Sequence, residues 1–386
     1  MSKSSNKIDV IIDQVISQIE CDDYRGYDPY DTLNSPIFKH LGKWGRVLAT
    51  QIQKRNPVNI RPLIGIKKEI NPKGIGLILE AYSKLYRINP SAELRDKCEN
   101  LFSILKTTQC NTASNVCWGY NFDWTSPKKT MPRNYPNVVV TSFIIQGIQA
   151  FADTFNDSSA YTMINGASNY VLNNLYISKT DPGKCISYSG IEPDYCYNAS
   201  LLAAEILAIN YAHNNNADSK EIIISALEFV LSKQKRNGCW YYSYNPTNGS
   251  ERKQVDFHQG YILNSLKKIS ELINYTSPQL ENSLEQGLNF YKKNQFDKKG
   301  KSLWRLPKTW PVDIHNQAQG ITTFVLFADF QMAETIVDWT IENMYTGDGS
   351  FYYKKYPLYS IKTTFTRWSQ AWMLLSCVNY KLSQSA

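Results

Sequence analysis

Five segments of the chain follow one plan: a short aromatic, strand-like turn, a loop, and then a polar step into an apolar helix. They are VCWGYNFDW followed by NVVVTSFIIQGIQAF, KCISYSGIEPDYCYNASLLAAEILA, GCWYYSYN followed by VDFHQGYILNSLKKI, SLWRLPKTWPVDIHNQAQGITTFVLF, and GSFYYKKYPLYSIKTTFTRWSQAWMLL. An earlier copy, INPKGIGLILEAYSKLY, has the helix without the turn. Such a repeat constrains the fold more than any local propensity does, because each unit must bury its apolar face against its neighbours. Aligned on the first polar residue of each helix, the copies fall at Lys73, Thr141, Asn198, His258, His315 and Thr366. They stand 51 to 68 residues apart, the spacing of a two-helix unit with a long loop.

Between these anchors lie second helices with start signals at Asn89-Pro90-Ser91, Asp157-Ser158, Asp218-Ser219 and Ser277-Pro278. The first helix of each copy is apolar nearly all round and rich in small residues such as Ala203, Ala204, Gly260 and Gly320, which suits packing on several sides. The second is amphipathic, as in SKEIIISALEFVLSKQKR, with one face for solvent. Six inner copies and five outer helices leave one outer place, which residues 35–54 are expected to fill near the C-terminus. The fold class that follows is all-α: an (α/α)6 toroid of six helical hairpins, with short β-like turns in the loops at one mouth. With 386 residues, 42% hydrophobic content and no Pro/Gly/Ser-rich linker, the chain reads as one domain, 1–386, in which 1–60 closes the ring and 61–386 carries the repeats.

Because all inner helices run the same way, their N-terminal ends share one mouth, where free N–H groups and helix dipoles favour anionic groups. Two of only four histidines stand there, each two residues after an aspartate, in Asp256-Phe257-His258 and Asp313-Ile314-His315. Histidine is the side chain most readily used as a base near neutral pH, and a helix N-terminus favours the neutral imidazole that a base requires. The aspartates also read as N-caps, with Gln259 and Asn316 as partners three residues on. The catalytic candidates are therefore His258, His315, Asp256, Asp313 and the loop carboxylate Asp123, with Glu192 and Asp194 in a similar loop.

The same loops are dense in aromatic residues, on which the apolar C–H faces of sugar rings can stack. Candidate substrate-binding residues are Trp118, Tyr120, Trp124, Tyr197, Asn198, Trp240, Tyr242, Gln319, Arg367 and Trp368. Of these, Arg367 would supply a fixed charge for a uronate or sugar phosphate. The repeat-equivalent Trp118, Trp240, Trp304 and Phe351 also read as core packing, with their alternate neighbours facing the funnel.

The net charge of +8 is read as lysines and arginines scattered through loops, as at Lys128, Lys129, Arg133, Lys298, Lys299 and Lys301. That is a solvated surface rather than a patch for acidic sugars or nucleic acid. Eight cysteines form no C-x-x-C pair, and Cys117, Cys185 and Cys239 occupy one step of the aromatic turn. They read as small buried residues in preference to zinc ligands, so no metal and no cofactor is expected. The first thirty residues lack a secretory leader, and the apolar run 138–152 is broken by Thr141, Ser142, Gln146 and Gln149. A cytoplasmic protein with reduced thiols and no membrane span is the expectation.

The motifs C-W-G-Y-N-F-D-W, P-N-V-V-V-T-S-F, Y-N-A-S-L-L, D-F-H-Q-G-Y and V-D-I-H-N-Q-A-Q, spread from about Trp118 to Trp368, resemble bacterial capsular and exopolysaccharide biosynthesis proteins of the α/α-toroid, six-hairpin glycosidase-like type. The resemblance implies that fold and a part in making capsule, exopolysaccharide or O-antigen, with a carbohydrate and the polysaccharide-synthesis machinery as partners. Three classes of function stay open on the residues themselves. An acid/base epimerase or lyase using His258 or His315 is favoured, because paired Asp-x-His motifs exceed what stacking alone needs. An inverting glycoside hydrolase would need two of Asp123, Asp194, Asp256 and Asp313 about 6.5–9.5 Å apart. A non-catalytic glycan-binding or assembly subunit would draw on the same residue types.

Overall fold

The computed structural model describes residues 3–110, 115–127 and 129–384, so Lys128 lies outside the described residues. In chain order its α-helices are α1 (Lys3–Cys21), α2 (Lys43–Gln53), α3 (Pro72–Ile88), α4 (Ala92–Thr107), α5 (Val138–Phe155), α6 (Ser158–Asn174), α7 (Tyr197–Asn214), α8 (Ala217–Ser232), α9 (His258–Leu272), α10 (Pro278–Gln295), α11 (Ile314–Leu326), α12 (Phe330–Met344) and α13 (Ala371–Ser383). A π-turn at Thr366–Gln370 leads into α13, and strands among the described residues are only two or three residues long.

The odd-numbered helices from α3 to α13 form an inner ring, each packing on the next and α13 returning to α3. The even-numbered helices from α4 to α12 pack outside them. This is the (α/α)6 toroid; four inner helices begin at or one residue before the expected anchors, α5 begins three residues before Thr141, and Thr366 opens the π-turn that leads into α13. Their all-round apolarity is used: Tyr197 to Asn210 of α7 are buried without a break. Helix α5 is long and apolar enough to cross a membrane by length and composition, yet most of it is buried against α3, α6 and α7. Helices α3 and α5 come into backbone contact, since a Cβ on Gly147 would stand 2.2 Å from the Gly76 carbonyl oxygen. Asn71, Ser91, Asn137, Asp157 and Ser277 cap their helices by accepting an N–H three residues on. The cap of α8 is Asn216 rather than Asp218, because its side chain already captures the Asp218 and Ser219 amides.

What recurs in space is a tether from inner helix to aromatic turn. Thr141 Oγ1 accepts the Trp118 N–H at 3.1 Å, Ser200 Oγ that of Ile186 at 3.0 Å, and Gln259 Oε1 that of Trp240 at 2.8 Å. Gln317 Oε1 takes the Ser302 amide at 2.7 Å, and Gln370 Oε1 that of Phe351 at 3.0 Å. Each bond satisfies a buried backbone donor that no ladder reaches. Counted from these tethers, His258 precedes its anchor by one residue and His315 by two, so the histidines are near-equivalent rather than equivalent.

The sixth outer place is taken by α1, not by residues 35–54. Ile8, Ile11, Ile12, Val15 and Ile19 give α1 a buried stripe at helical spacing, and it packs on α13. By contrast α2 buries only Thr50 and Gln53 and rests on the 3-10 turns at Asp31–Asn34 and Phe38–His40 and on the strand Trp124–Thr125.

Candidate functional site

The ring carries α9, α11 and the turn before α13 to one place. The Phe257 ring lies 4.2 Å from His258 and 4.6 Å from His315, centroid to centroid. One turn further on, Tyr261 lies 5.8 and 5.7 Å from the same two rings. Trp368 and Trp372 flank His315 at 4.7 and 4.8 Å. Both histidines thus belong to a single aromatic layer at the N-terminal ends of the inner helices.

Their settings differ. His258 Nδ1 lies 2.5 Å from Asp256 Oδ1, which also accepts the His258 backbone N–H at 3.3 Å. An ionised carboxylate can only accept, so the ring donates from Nδ1 and, when neutral, keeps its lone pair on Nε2. No hydrogen bond occupies Nε2 among the described residues, and 16% of the side chain remains open. Burial works against the Asp256 carboxylate, yet the facing His258 and then Arg305, 3.4 Å away, hold its pKa below the usual carboxylate value. Tyr242 stands edge-on to His258 at 4.9 Å and completes its wall.

His315 is only 1% exposed, and its Nε2 lies 2.6 Å from the Tyr261 hydroxyl. Burial, reinforced by Lys73 and Arg367, lowers its pKa well below the ordinary value, so the ring is neutral. Burial raises that of Tyr261, which keeps its proton. Asp313 caps α11 through the His315 N–H at 3.0 Å, but its carboxylate turns to the Trp368 indole at 2.8 Å and to Lys354 at 3.4 Å instead of the imidazole. Neither Gln259 nor Asn316 closes a capping box: Gln259 clasps Trp240, and Asn316 donates to the Leu303 and Trp304 carbonyls.

The other candidates divide. Tyr120 stacks on Phe122 at 5.0 Å and Trp368 meets Tyr30 at 5.8 Å, so both line the mouth, while Trp124 sits on the rim against α2. Asn198 accepts from Cys196 on the adjoining wall. Trp118 and Trp240 are fully buried and donate to the Leu105 and Val230 carbonyls of the outer layer, which removes them from any stacking surface. Tyr197 is likewise turned outward to Glu251 and Phe229. Gln319 donates to Thr323 and lines a cavity of about 130 Å3 on the far side of Phe143, Tyr261 and Trp372, with Glu80, Lys84, Glu205 and Lys268 in its walls. Asp123 accepts the Arg133 amide at 2.7 Å and organises its own hairpin. Asp194 does the same for Tyr188 at 3.1 Å. Arg367 is no free charge: Asp28 holds its Nε and Nη2 at 2.6 and 2.8 Å, with both partners buried.

Sequence reasoning missed Asp28, Tyr30, Lys73, Phe257 and Tyr261 as parts of this site. Lys73, recognised only as an anchor, has its Nζ 3.8 Å from the centre of the Phe143 ring and 5.4 Å from that of Trp372. No carboxylate lies within ion-pair distance of it among the described residues, and burial followed by Arg367 pushes its pKa well down. Phe257 and Tyr261 had a signal in the Asp-x-His pattern, being one residue before His258 and one turn after it. No cluster of three or more metal-binding side chains occurs among the described residues.

No family model and no curated protein matches the chain. Solved structures do. Cellobiose 2-epimerase from Bacillus thermoamylovorans B4167 is similar with a TM-score of 0.67 at 11% identity, over 82% of this chain and 88% of that one. A possible member of the GH105 family from Klebsiella pneumoniae subsp. pneumoniae MGH 78578 is similar with a TM-score of 0.65 at 10% identity, over 100% and 94%. The GH76 alpha-mannanase BT2949 of Bacteroides thetaiotaomicron gives 0.62 at 13% identity, over 82% and 88%. At such identities the likeness is one of fold, and the fold these structures share with this chain is the six-hairpin α/α toroid.

Proposed function

We propose that this chain is a carbohydrate-transforming acid/base enzyme of the epimerase or lyase type, working on a sugar or glycan at the N-terminal mouth of the ring. The observation that carries the reading is the Asp256–His258 pair, which presents an unoccupied Nε2 beside an aromatic wall. In this scheme His258 Nε2 takes a proton from a carbon next to a carbonyl group. Asp256 holds the ring and stabilises the imidazolium that forms, as a carboxylate does for any histidine base. The neutral His315–Tyr261 pair stands on the other side of Phe257 and returns or relays the proton. Phe257, Tyr242 and Trp368 offer faces for the sugar ring. With Arg367 neutralised by Asp28, the site favours an uncharged sugar over a uronate or sugar phosphate.

The carbohydrate part is supported by the similar structures, a cellobiose 2-epimerase and an alpha-mannanase among them. A part in cell-surface polysaccharide biosynthesis rests on the motif resemblance alone. The inverting-hydrolase reading is less favoured, because a general acid needs a raised pKa and Asp256 is held low. Asp123 and Asp313 are likewise committed as acceptors, and Asp194, whose pKa burial raises, is tied to the Tyr188 amide and to Lys129 away from the histidine layer. Incubating the protein in deuterated water with neutral oligosaccharides separates the classes by NMR. Deuterium on a ring carbon supports epimerisation, and a new double bond supports a lyase. A new reducing end with neither deuterium on a ring carbon nor a double bond would refute both.

A further inference from the structure

The excess positive charge is not scattered. Between Thr32 and Lys68 the chain carries eight lysines and arginines and no aspartate or glutamate, whereas the remainder balances at 34 of each sign. This one segment therefore accounts for the whole net charge of +8.

It also wears its apolar side outward. Trp44, Leu48 and Ile52 recur every fourth residue along α2 and are 69%, 61% and 60% exposed, with Leu41 exposed one turn earlier. The residues α2 buries, Thr50 and Gln53, are polar. A surface helix ordinarily does the reverse, so α2 is built for something beyond its own chain. Ile37, Val58 and Leu63 extend the patch on either side. Lys39, Lys43 and Arg55 flank the stripe, all exposed and with no carboxylate partner among the described residues.

We propose that this face of α2 docks on an anionic lipid surface. An exposed apolar stripe with a tryptophan, edged by basic residues and free of acids, is what lies in the interface of a negatively charged leaflet. A second copy of the chain would bring the same eight positive charges against these, which repel. The inference is independent of the chemistry proposed above, but it bears on access. Lys54, following α2, lies 3.9 Å over the Tyr30 ring, and Tyr30 meets Trp368 of the histidine layer. Docking through α2 sets the mouth of the ring beside the membrane, where a lipid-borne sugar would be found.

Flotation of the full chain with phosphatidylcholine vesicles, with and without about one-third phosphatidylglycerol, tests this. Binding is expected only to the anionic vesicles and is lost near ~1 M salt, where charges are screened within about 3 Å. The variant Trp44→Gln/Leu48→Gln/Ile52→Gln should not float, although its melting curve matches wild type, because these side chains are already in water. Lys39→Gln/Lys43→Gln should bind about 25-fold more weakly, at about fivefold per basic residue. Failure of the wild-type chain to float with anionic vesicles would overturn the proposal, as would equal binding to neutral ones. So would a concentration-dependent dimer, seen by sedimentation, that the triple variant dissolves while vesicles go unbound; that result assigns the face to a second copy. Binding of an acidic protein with no vesicle binding assigns it to a protein partner instead.

Discussion

The two Asp-x-His segments begin neighbouring inner helices, share one sequence pattern and end in unlike settings. In the first, the aspartate serves the imidazole: Asp256 bonds the His258 ring and leaves Nε2 open. In the second, the aspartate serves the scaffold: Asp313 caps α11 and ties down Trp368 and Lys354, while His315 is enclosed by aromatic rings. A shift of one residue relative to the tethering glutamines Gln259 and Gln317 produces this divergence. A helix start rotates about 100° per residue, so one step suffices to move a side chain from the rim into the packed layer.

The largest expected effect is on turnover. His258→Gln should lower it by about 10²–10⁴-fold, the range for loss of a general base, with the thermal midpoint little changed. Equal activity in the two proteins would erase the functional half of the comparison. Next comes Asp28→Ala, which leaves Arg367 charged and buried with no partner beside the His315 layer. It should cost about 3–5 kcal/mol by urea denaturation. His315→Ala empties a site walled by four rings and should cost about 2–4 kcal/mol, against about 0.5–2 for His258→Ala. Equal costs would show that the two rings are packed alike.

The pH dependence of stability separates them further. The folded-state pKa of His315 is depressed, so its stabilising contribution is complete above the unfolded value of about 6.5 and is lost as pH falls below it. That loss contributes a slope of up to about 1.4 kcal/mol per pH unit, absent from His315→Asn. Lys73 is depressed in the same sense and adds a slope common to both proteins. For Asp256, also depressed, the loss begins only below about pH 4. Urea midpoints from pH 8 to 5 for wild type and His315→Asn should therefore diverge below about 6.5; parallel curves would mean that His315 protonates freely when folded. The smallest effect is expected from Asp123→Asn, within about 0.5 kcal/mol in stability and with turnover unchanged, because that carboxylate holds only its own hairpin.

The ring was legible in the sequence because its inner helices repeat their polar start and all-round apolarity, and repetition survives the loss of any single motif. The meeting of His258 and His315 followed from that register. What escaped was whatever lies outside the repeat. Asp28 reaches Arg367 across 339 residues, and no periodicity announces that pair. Tyr261 sits on an apolar helix face and reads as core until its hydroxyl is seen on His315. Trp118 and Trp240 misled in the opposite direction: aromatic residues in a loop invite a stacking role, but their indoles point back into the outer layer. Trp304 breaks their pattern, since in its repeat Ser302 holds the tether and Lys354 lies over the indole ring at 4.3 Å. Residues 35–54 suit the sixth outer place only by being helical, whereas α1 carries the better buried stripe.

The central claim is that His258, poised by Asp256, is a base at the mouth of the ring. It is tested most directly by solvent deuterium incorporation into a pooled set of neutral oligosaccharides, followed by NMR for wild type, His258→Gln and His315→Asn. The account expects deuterium on a ring carbon with wild type, none with His258→Gln, and with His315→Asn less incorporation than its folded fraction alone would give. Undiminished incorporation by His258→Gln would contradict it, as would sugar turnover by wild type that leaves every ring carbon undeuterated and forms no double bond.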